Sequence, residues 1–201
     1  GLARAATEAI RIGNTNPYSG PAAAWGAAGK AMTAYFRMLN EQGGIQGRPI
    51  EFLSLDDGYS PSKTVEATRR LVEQDRVLLM FGALGTATNM AVQAYLNERK
   101  VPQLFVQSGA SRWNNPQQFP WTMGWSPSYL SEGRIYAKAI LSEQPQAKVA
   151  VLYQNDDFGK DYLNGLRDGL GAQASRIVAM ASYEVTDATV DSQLIALKTS
   201  G

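Results

Sequence analysis

The sequence contains neither cysteine nor histidine. Their absence removes thiol nucleophiles, Ser-His-Asp triads, imidazole proton shuttles and nearly all zinc or copper sites. Any catalysis would have to rest on carboxylates, Lys, Tyr or Ser alone. Zero cysteine suits an exported or an intracellular protein and separates neither. An excess of one charge is also lacking, with 19 Lys and Arg against 18 Asp and Glu. No stretch gathers the basic residues that a nucleic-acid footprint needs, so no nucleic-acid partner is expected. No apolar run reaches the length of a membrane span.

What is present is a chain of 201 residues, 44% apolar, enough to bury a sizeable core in more than one folding unit. It begins at Gly1 rather than Met, and "ARAATEA" suits the region after a processed signal peptide, so export is an expectation. Strand and helix patterns alternate. "AIRIG" (Ala9–Gly13) predicts a first strand, with the turn starting at Asn14. A helix follows, with Trp25, Ala28, Gly29, Met32, Phe36 and Leu39 on one face. Ile50–Asp57 reads as a second strand, and Ser60-Pro61 starts a helix burying Val65, Leu71 and Val72. Val77–Ala83 is continuously apolar, as a strand covered on both faces should be. Thr86 opens a helix with the stripe Ala87, Met90, Ala91, Ala94 and Tyr95, and "VPQLFVQSG" is a fourth strand.

From Arg112 to Tyr129 the chain is rich in Pro, Asn and aromatics and fits neither period, as a passage between two lobes would. Beyond it come a helix burying Tyr136, Ala137, Ile140 and Leu141, the strand "KVAVLYQN", and a helix burying Leu163, Leu166 and Leu170. "RIVAMASYE" and a helix from near Asp191 complete the pattern. This alternation predicts α/β units with parallel sheets, whose ligands lie beyond the C-terminal strand ends. The segments to interrogate are Asn14–Trp25, Gly82–Thr86, Ser108–Ser111 and Asn155–Gly159.

Two nucleotide motifs fail there. "GAAGKAMT" departs from a phosphate loop at Ala24 and Ala31 and lies inside an amphipathic helix. "NTNPYSGP" has one glycine where a dinucleotide fold needs three, although Asp56 and Asp57 stand where a ribose-binding acid would. No cofactor is expected. In "GALGTATN", Gly82 and Gly85 let the chain turn out of a strand and Thr86 puts a hydroxyl at a helix start. That is either a seat for a carboxylate or simple N-capping. "QSGASRW" repeats the small residues and hydroxyls with Ser108 and Ser111. Among the aromatics, Trp113 and Trp121 suit packing of the crossover. Trp25 and Phe158 fall in turns at strand ends, where they could sandwich a flat ligand. Asp156 and Asp157 read as solvating a helix N-terminus, with a carboxylate pair for acid–base work or a cation site as the alternatives.

The segments "YSGPAAAWG", "AYFRMLNEQGGIQGRPIEFLSLDD", "PSKTVEATRRLVEQDRV", "VPQLFVQSGAS" and "VLYQNDDFGKDYLNGLRDGL", in this order, resemble the periplasmic ligand-binding proteins of branched-chain-amino-acid-type ABC importers. The resemblance implies a type I periplasmic binding fold. Its two Rossmann-like lobes carry parallel sheets flanked by helices and are hinge-linked, with residues 1–126 forming the first lobe and 127–201 part of the second. It places the C-terminal part of the fold beyond Gly201. Carried over by position, Trp25 lines the ligand cleft and Thr86, after Gly85, offers a hydroxyl to the ligand carboxylate. Gly109, Ala110 and Ser111 add backbone and hydroxyl contacts, and Phe158 closes over the ligand.

The block "WTMGWSPSY" departs from leucine-type binders and looks more like the subgroup for aromatic acids, with Trp125 and Tyr129 shaping a ring-accepting pocket. The implied protein is a monomeric, periplasmic, non-enzymatic binder of a small carboxylate. It hands a benzoate-like acid, or next a branched-chain amino acid, to a membrane permease by clam-shell closure. A sensory domain of the same fold and an enzyme using Asp57 or Asp156 are the rivals.

Overall fold

The computed structural model describes residues 8–200. They form two compact units, the first running to Gln107 and resumed at Asn115–Trp125, the second made of Ser108–Asn114 and the chain from Ser126 onward.

The first unit is a five-stranded parallel sheet in the order β2-β1-β3-β4-β5. Its strands are β1 (Ile10–Asn16), β2 (Ile50–Asp56), β3 (Leu79–Phe81), β4 (Gln103–Val106) and β5 (Thr122–Gly124). The helices are α1 (Ala27–Glu41), α2 (Pro61–Arg69) and α3 (Thr86–Glu98). On one side of the sheet, Leu71, Val77, Met80, Val92 and Leu96 form a cluster. Another joins Ile12, Phe36 and Ile50, with Met32 and Leu39 of α1 packed against it. Burying each such side chain is worth about 1.5–3 kcal/mol, and these clusters fix both helical layers to the sheet.

Three expectations are corrected here. The first strand does not stop at Gly13. Asn14, Thr15 and Asn16 continue it and are fully buried, because the Asn14 side chain and the Asn16 Nδ2 group find partners a turn prediction cannot see. Asn14 Nδ2 donates to Phe81 O at 2.7 Å, and Ser54 Oγ and Asn16 Nδ2 both donate to Asn14 Oδ1 at 2.6 Å. The buried face of α3 is not the alanine stripe. Ala91 and Ala94 are exposed, whereas Thr88, Asn89, Val92, Gln93 and Leu96 point inward. Thr88 donates to Leu84 O, Asn89 to Ala83 O and Gly85 O, and Gln103 to Asn89 Oδ1. A polar face is thereby buried at low cost. Third, the aromatic passage contains β5, whose Thr122 accepts a hydrogen bond from Asn97 Nδ2 and donates one to Gln103 Oε1.

The second unit pairs β6 (Val149–Gln154) with β7 (Ile177–Tyr183) in parallel and adds α4 (Tyr129–Glu143), α5 (Asp157–Leu170) and α6 (Asp191–Lys198). Ala137, Leu166 and Leu170 form its core with Ile140 and Leu141 packed around them. Tyr136, expected inside, is 52% exposed and stacks on Tyr162 with ring centroids 5.9 Å apart. Helices α4 and α5 meet along a seam of glycines. A Cβ on Gly133 would stand 2.6 Å from Tyr162 O, one on Gly169 2.5 Å from Ala137 Cβ, and one on Gly165 would land on the Leu130 carbonyl.

Candidate functional site

In the first unit the strand order reverses at β1, since β2 lies on one side and β3 on the other. In such sheets the crevice for a ligand opens beyond the C-terminal ends of the two strands at the reversal. The turns leaving β1 and β3 therefore frame the candidate site of this unit.

The turn after β1 is shaped by the Asp56 carboxylate, which accepts from Tyr18 N–H at 2.8 Å and Ser19 N–H at 3.2 Å. Tyr18 Oη and Ser54 Oγ are 2.5 Å apart across the same turn. The Ser19 side chain and these N–H groups hold Asp56 below the usual carboxylate range. A tight 3-10 turn, Ala23–Gly26, then carries Trp25. Trp25 is not part of the buried face of α1, as the periodicity suggests. It precedes that helix and is 66% exposed.

The turn after β3 is pinned to the next strand, with Gln107 N–H donating to Ala83 O and Gly85 N–H to Gln107 O. Gly85 has φ +104° and ψ 151°, a conformation essentially closed to other residues. The Tyr59 ring lies against it, so a Cβ there would stand 2.5 Å from Tyr59 Cε2. Thr86 is the first residue of α3 and is buried. The helix start has no side-chain cap, and the first-turn N–H groups with the helix dipole favour an anion there. Trp125 follows β5 and is 69% exposed. Its ring meets Phe105 edge-on at 6.4 Å, and Phe105, Phe81, Phe36 and Phe52 continue as a chain of ring contacts into the core.

The second unit holds the remaining sequence-predicted residues. Ser108, Gly109 and Ala110 are buried and Ser111 is exposed. Ser108 Oγ accepts from Trp113 Nε1 at 2.8 Å and from Ala110 N–H at 3.3 Å. Phe158 lies in the first turn of α5 rather than in the loop before it, because Asp156 caps the helix by accepting from Gly159 N–H. Burial pushes the Asp156 carboxyl above its ordinary value. Gly109 and Phe158 share a neighbour, Tyr129. A Cβ on Gly109 would stand 2.8 Å from its ring, and the Phe158 ring meets it at 5.1 Å. Tyr129 also stacks on Tyr162 at 4.8 Å. Burial, then the hydrogen bond that Tyr162 donates to Glu132, pushes the Tyr162 phenol well above its ordinary value, so it stays a neutral donor.

Sequence reasoning missed Tyr59, Asp161 and Tyr162. Tyr162 stands four residues after Phe158, a helical spacing that would have found it. Tyr59, with φ +61°, carries no sequence signal, nor does Asp161, which accepts from the amide and hydroxyl of Ser111.

Asp57 and Asp56 give opposite pH signatures. Asp57 is fully buried, accepts from Tyr59 N–H and Thr64 Oγ1, and is raised by burial. A raised carboxyl binds its proton more readily in the folded state, so stability increases as pH falls from neutral through the raised value toward 3.8. The share from Asp56 is present above 3.8 and is lost only as pH falls through its lowered value. The acid-side rise in melting temperature between pH 7 and pH 4 should shrink in Asp57→Asn, with Asp156 supplying what remains. A rise of unchanged size in that variant would remove Asp57 as its source.

Comparison with known proteins follows the same architecture. Over 186 residues the chain is 26% identical to an amino acid binding protein of Pseudomonas aeruginosa, covering 88% of this chain and 46% of that one. A possible leucine/isoleucine/valine-binding protein from Rhodopirellula baltica superposes with a TM-score of 0.82 at 22% identity, covering 97% of this chain and 53% of that one. A solute binding protein of an ABC transporter from R. palustris, in complex with benzoate, gives 0.78 at 22% identity, covering 95% and 52%. The chain spans about half the length of the curated relatives it matches. The profile of the family described as "Periplasmic binding protein" matches residues 9–201. Sheet order, strand-end turns and profile agree: the chain belongs to the periplasmic binding protein family.

Proposed function

We propose that the protein is the extracytoplasmic solute-binding component of an ABC importer and captures a small carboxylate by clam-shell closure of its two lobes, with no catalytic step. The observation that carries this reading is the β3–α3 turn: Gly85 aims the uncapped start of α3, with Thr86 first in it, at the strand-order reversal flanked by the Trp25 turn. A carboxylate docks on that helix start, and an apolar body meets Trp25, Trp125 and Phe158. Differential affinity for the closed state then drives closure, and the permease reads the closed form.

An aromatic acid is the preferred ligand. The exposed Trp125 and the Tyr129–Phe158–Tyr162 cluster favour a ring, and the relative from R. palustris carries benzoate. A branched-chain amino acid comes second: the relative from Pseudomonas aeruginosa is an amino acid binding protein, and the one from Rhodopirellula baltica a possible leucine/isoleucine/valine-binding protein.

A thermal-shift screen of the full-length protein against benzoate, cinnamate and branched-chain amino acids tests this. Ligands that bind the folded state raise the melting temperature by mass action. Benzoate or cinnamate should give the largest shift, and a response confined to amine-bearing ligands would overturn the aromatic preference. Thr86→Ala should weaken carboxylate binding by about 1–3 kcal/mol, the scale of a hydrogen bond to a charged group. Calorimetric titration showing unchanged affinity would take Thr86 out of the site.

A further inference from the structure

Gly26 and Gly29 of "GAAGKAMT" are buried at the start of α1, and both leave room for one side chain, that of Tyr18. A Cβ on Gly29 would land on Tyr18 Oη, with Asn16 Cγ 3.1 Å away. One on Gly26 would stand 3.0 Å from Tyr18 Cδ1 and 2.7 Å from Pro17 O. The phenol is therefore wedged between β2 and the 3-10 turn that carries Trp25. That turn has no side-chain cap of its own. Gly26 follows Trp25 directly, so the Tyr18 ring backs the stretch of chain that presents the indole.

The hydroxyl at the tip of the wedge has a defined direction. Asn14 Nδ2 donates to Phe81 O at 2.7 Å, which leaves Asn14 Oδ1 to accept from Ser54 Oγ and Asn16 Nδ2, both 2.6 Å away. The single hydrogen of Ser54 is spent on Asn14, so the 2.5 Å bond between Tyr18 Oη and Ser54 Oγ uses the Tyr18 proton. From Tyr18 the chain Ser54, Asn14, Phe81 O crosses β2, β1 and β3, which are neighbours in the sheet. It ties the Trp25 turn to the last residue of β3, where the chain turns out toward Gly85 and Thr86. Asn14 is fully buried, where a hydrogen bond is costly to leave unmade.

We propose that Tyr18 is a positioning residue for ligand capture: wedged against Gly26 and Gly29 and bonded to Ser54, it sets the Trp25 turn against the frame that also holds the end of β3. The inference rests on the reading above in which Trp25 meets the ligand, and every residue in it belongs to the first unit. It also accounts for Gly29 inside a helix, where glycine is otherwise unfavourable.

The test compares the full-length wild type with Tyr18→Phe, Ser54→Ala and the double variant, using benzoate and leucine as probes and amide hydrogen exchange on the ligand-free protein. Tyr18→Phe keeps the wedge and removes the bond. It should weaken binding of whichever probe the wild type takes by about fivefold. It should also speed exchange at the Trp25 amide, which donates to Ala22 O at 3.0 Å, while amides in the middle of α3 keep their wild-type rates. A merely structural role would raise exchange throughout the unit, and such a uniform rise would overturn the proposal. Ser54→Ala should lose at least as much affinity, and the double variant should be no worse than Ser54→Ala alone, since both act on one bond. Additive losses would overturn the bond as the cause, and so would wild-type affinity in Tyr18→Phe. If neither probe shifts the wild type, the carboxylate reading for these ligands fails by itself. Exchange at the Trp25 amide then decides the wedge, and an unchanged rate in Tyr18→Phe would refute it. Ser54→Ala answers the same question should Tyr18→Phe not fold.

Discussion

Gly165→Ala is expected to destabilise the full-length protein by about 2–3 kcal/mol in urea unfolding, against the sign that helix propensity alone would give. Replacing a mid-helix glycine by alanine ordinarily stabilises by about 0.5–1 kcal/mol. At this position the added methyl would land on the Leu130 carbonyl of α4, with Leu130 C and Cα 2.9 Å away. Backbone atoms cannot swing aside as the end of a flexible side chain can, so the two helices must separate. Overpacking of that kind costs about 1–3 kcal/mol, occasionally more. Gly133 faces the same approach from α4, 2.6 Å from Tyr162 O and 2.8 Å from Leu166 N, so the interface has no slack on either side. Asn164→Ala, on the exposed side of the same helix, is the control and should be neutral or slightly stabilising. A Gly165→Ala variant more stable than wild type would show the seam to be looser than described. Ligand affinity should fall in the same variant, since Phe158 and Tyr162 both ride on α5.

Gly85→Ala should be the second severe change, and it should damage binding as well as stability. Its φ of +104° with ψ of 151° costs any residue with a Cβ about 1–3 kcal/mol. The methyl would also stand 2.5 Å from the Tyr59 ring and 2.6 Å from Thr88 Oγ1. Relief requires the peptide before Thr86 to rotate, which re-aims the first-turn N–H groups of α3. Chemical denaturation should show a loss of about 2–4 kcal/mol from strain and overlap together. Titration with a ligand that shifts the wild type should show at least the loss seen for Thr86→Ala. Wild-type affinity in a destabilised Gly85→Ala would separate this turn from the site.

The order of strands and helices was legible because apolar runs and helix starts follow local rules. Thr86 and Asp191 begin their helices where the pattern puts them, and Leu163, Leu166 and Leu170 are buried as their spacing requires. What stayed hidden depends on partners distant in sequence. "NTN" looks like a turn until Ser54 and Phe81 supply its hydrogen bonds. The inner face of α3 looks like an outer face until Gln103 and the Ala83 carbonyl are placed beside Asn89. The positions of Trp25 and Thr86 at strand-end turns could be read directly. The bond of Asp161 to Ser111 spans fifty residues and leaves no periodic trace.

The four tryptophans are not alike. Trp113 is buried with its indole N–H held by Ser108, whereas Trp25, Trp121 and Trp125 reach solvent. Emission from the native protein is therefore a blue component from one fixed indole over a red, quencher-accessible component from three others. Two of those three, Trp25 and Trp125, are proposed to meet the ligand. On the proposed function, ligand capture should change the red component and leave the Trp113 component as an internal reference.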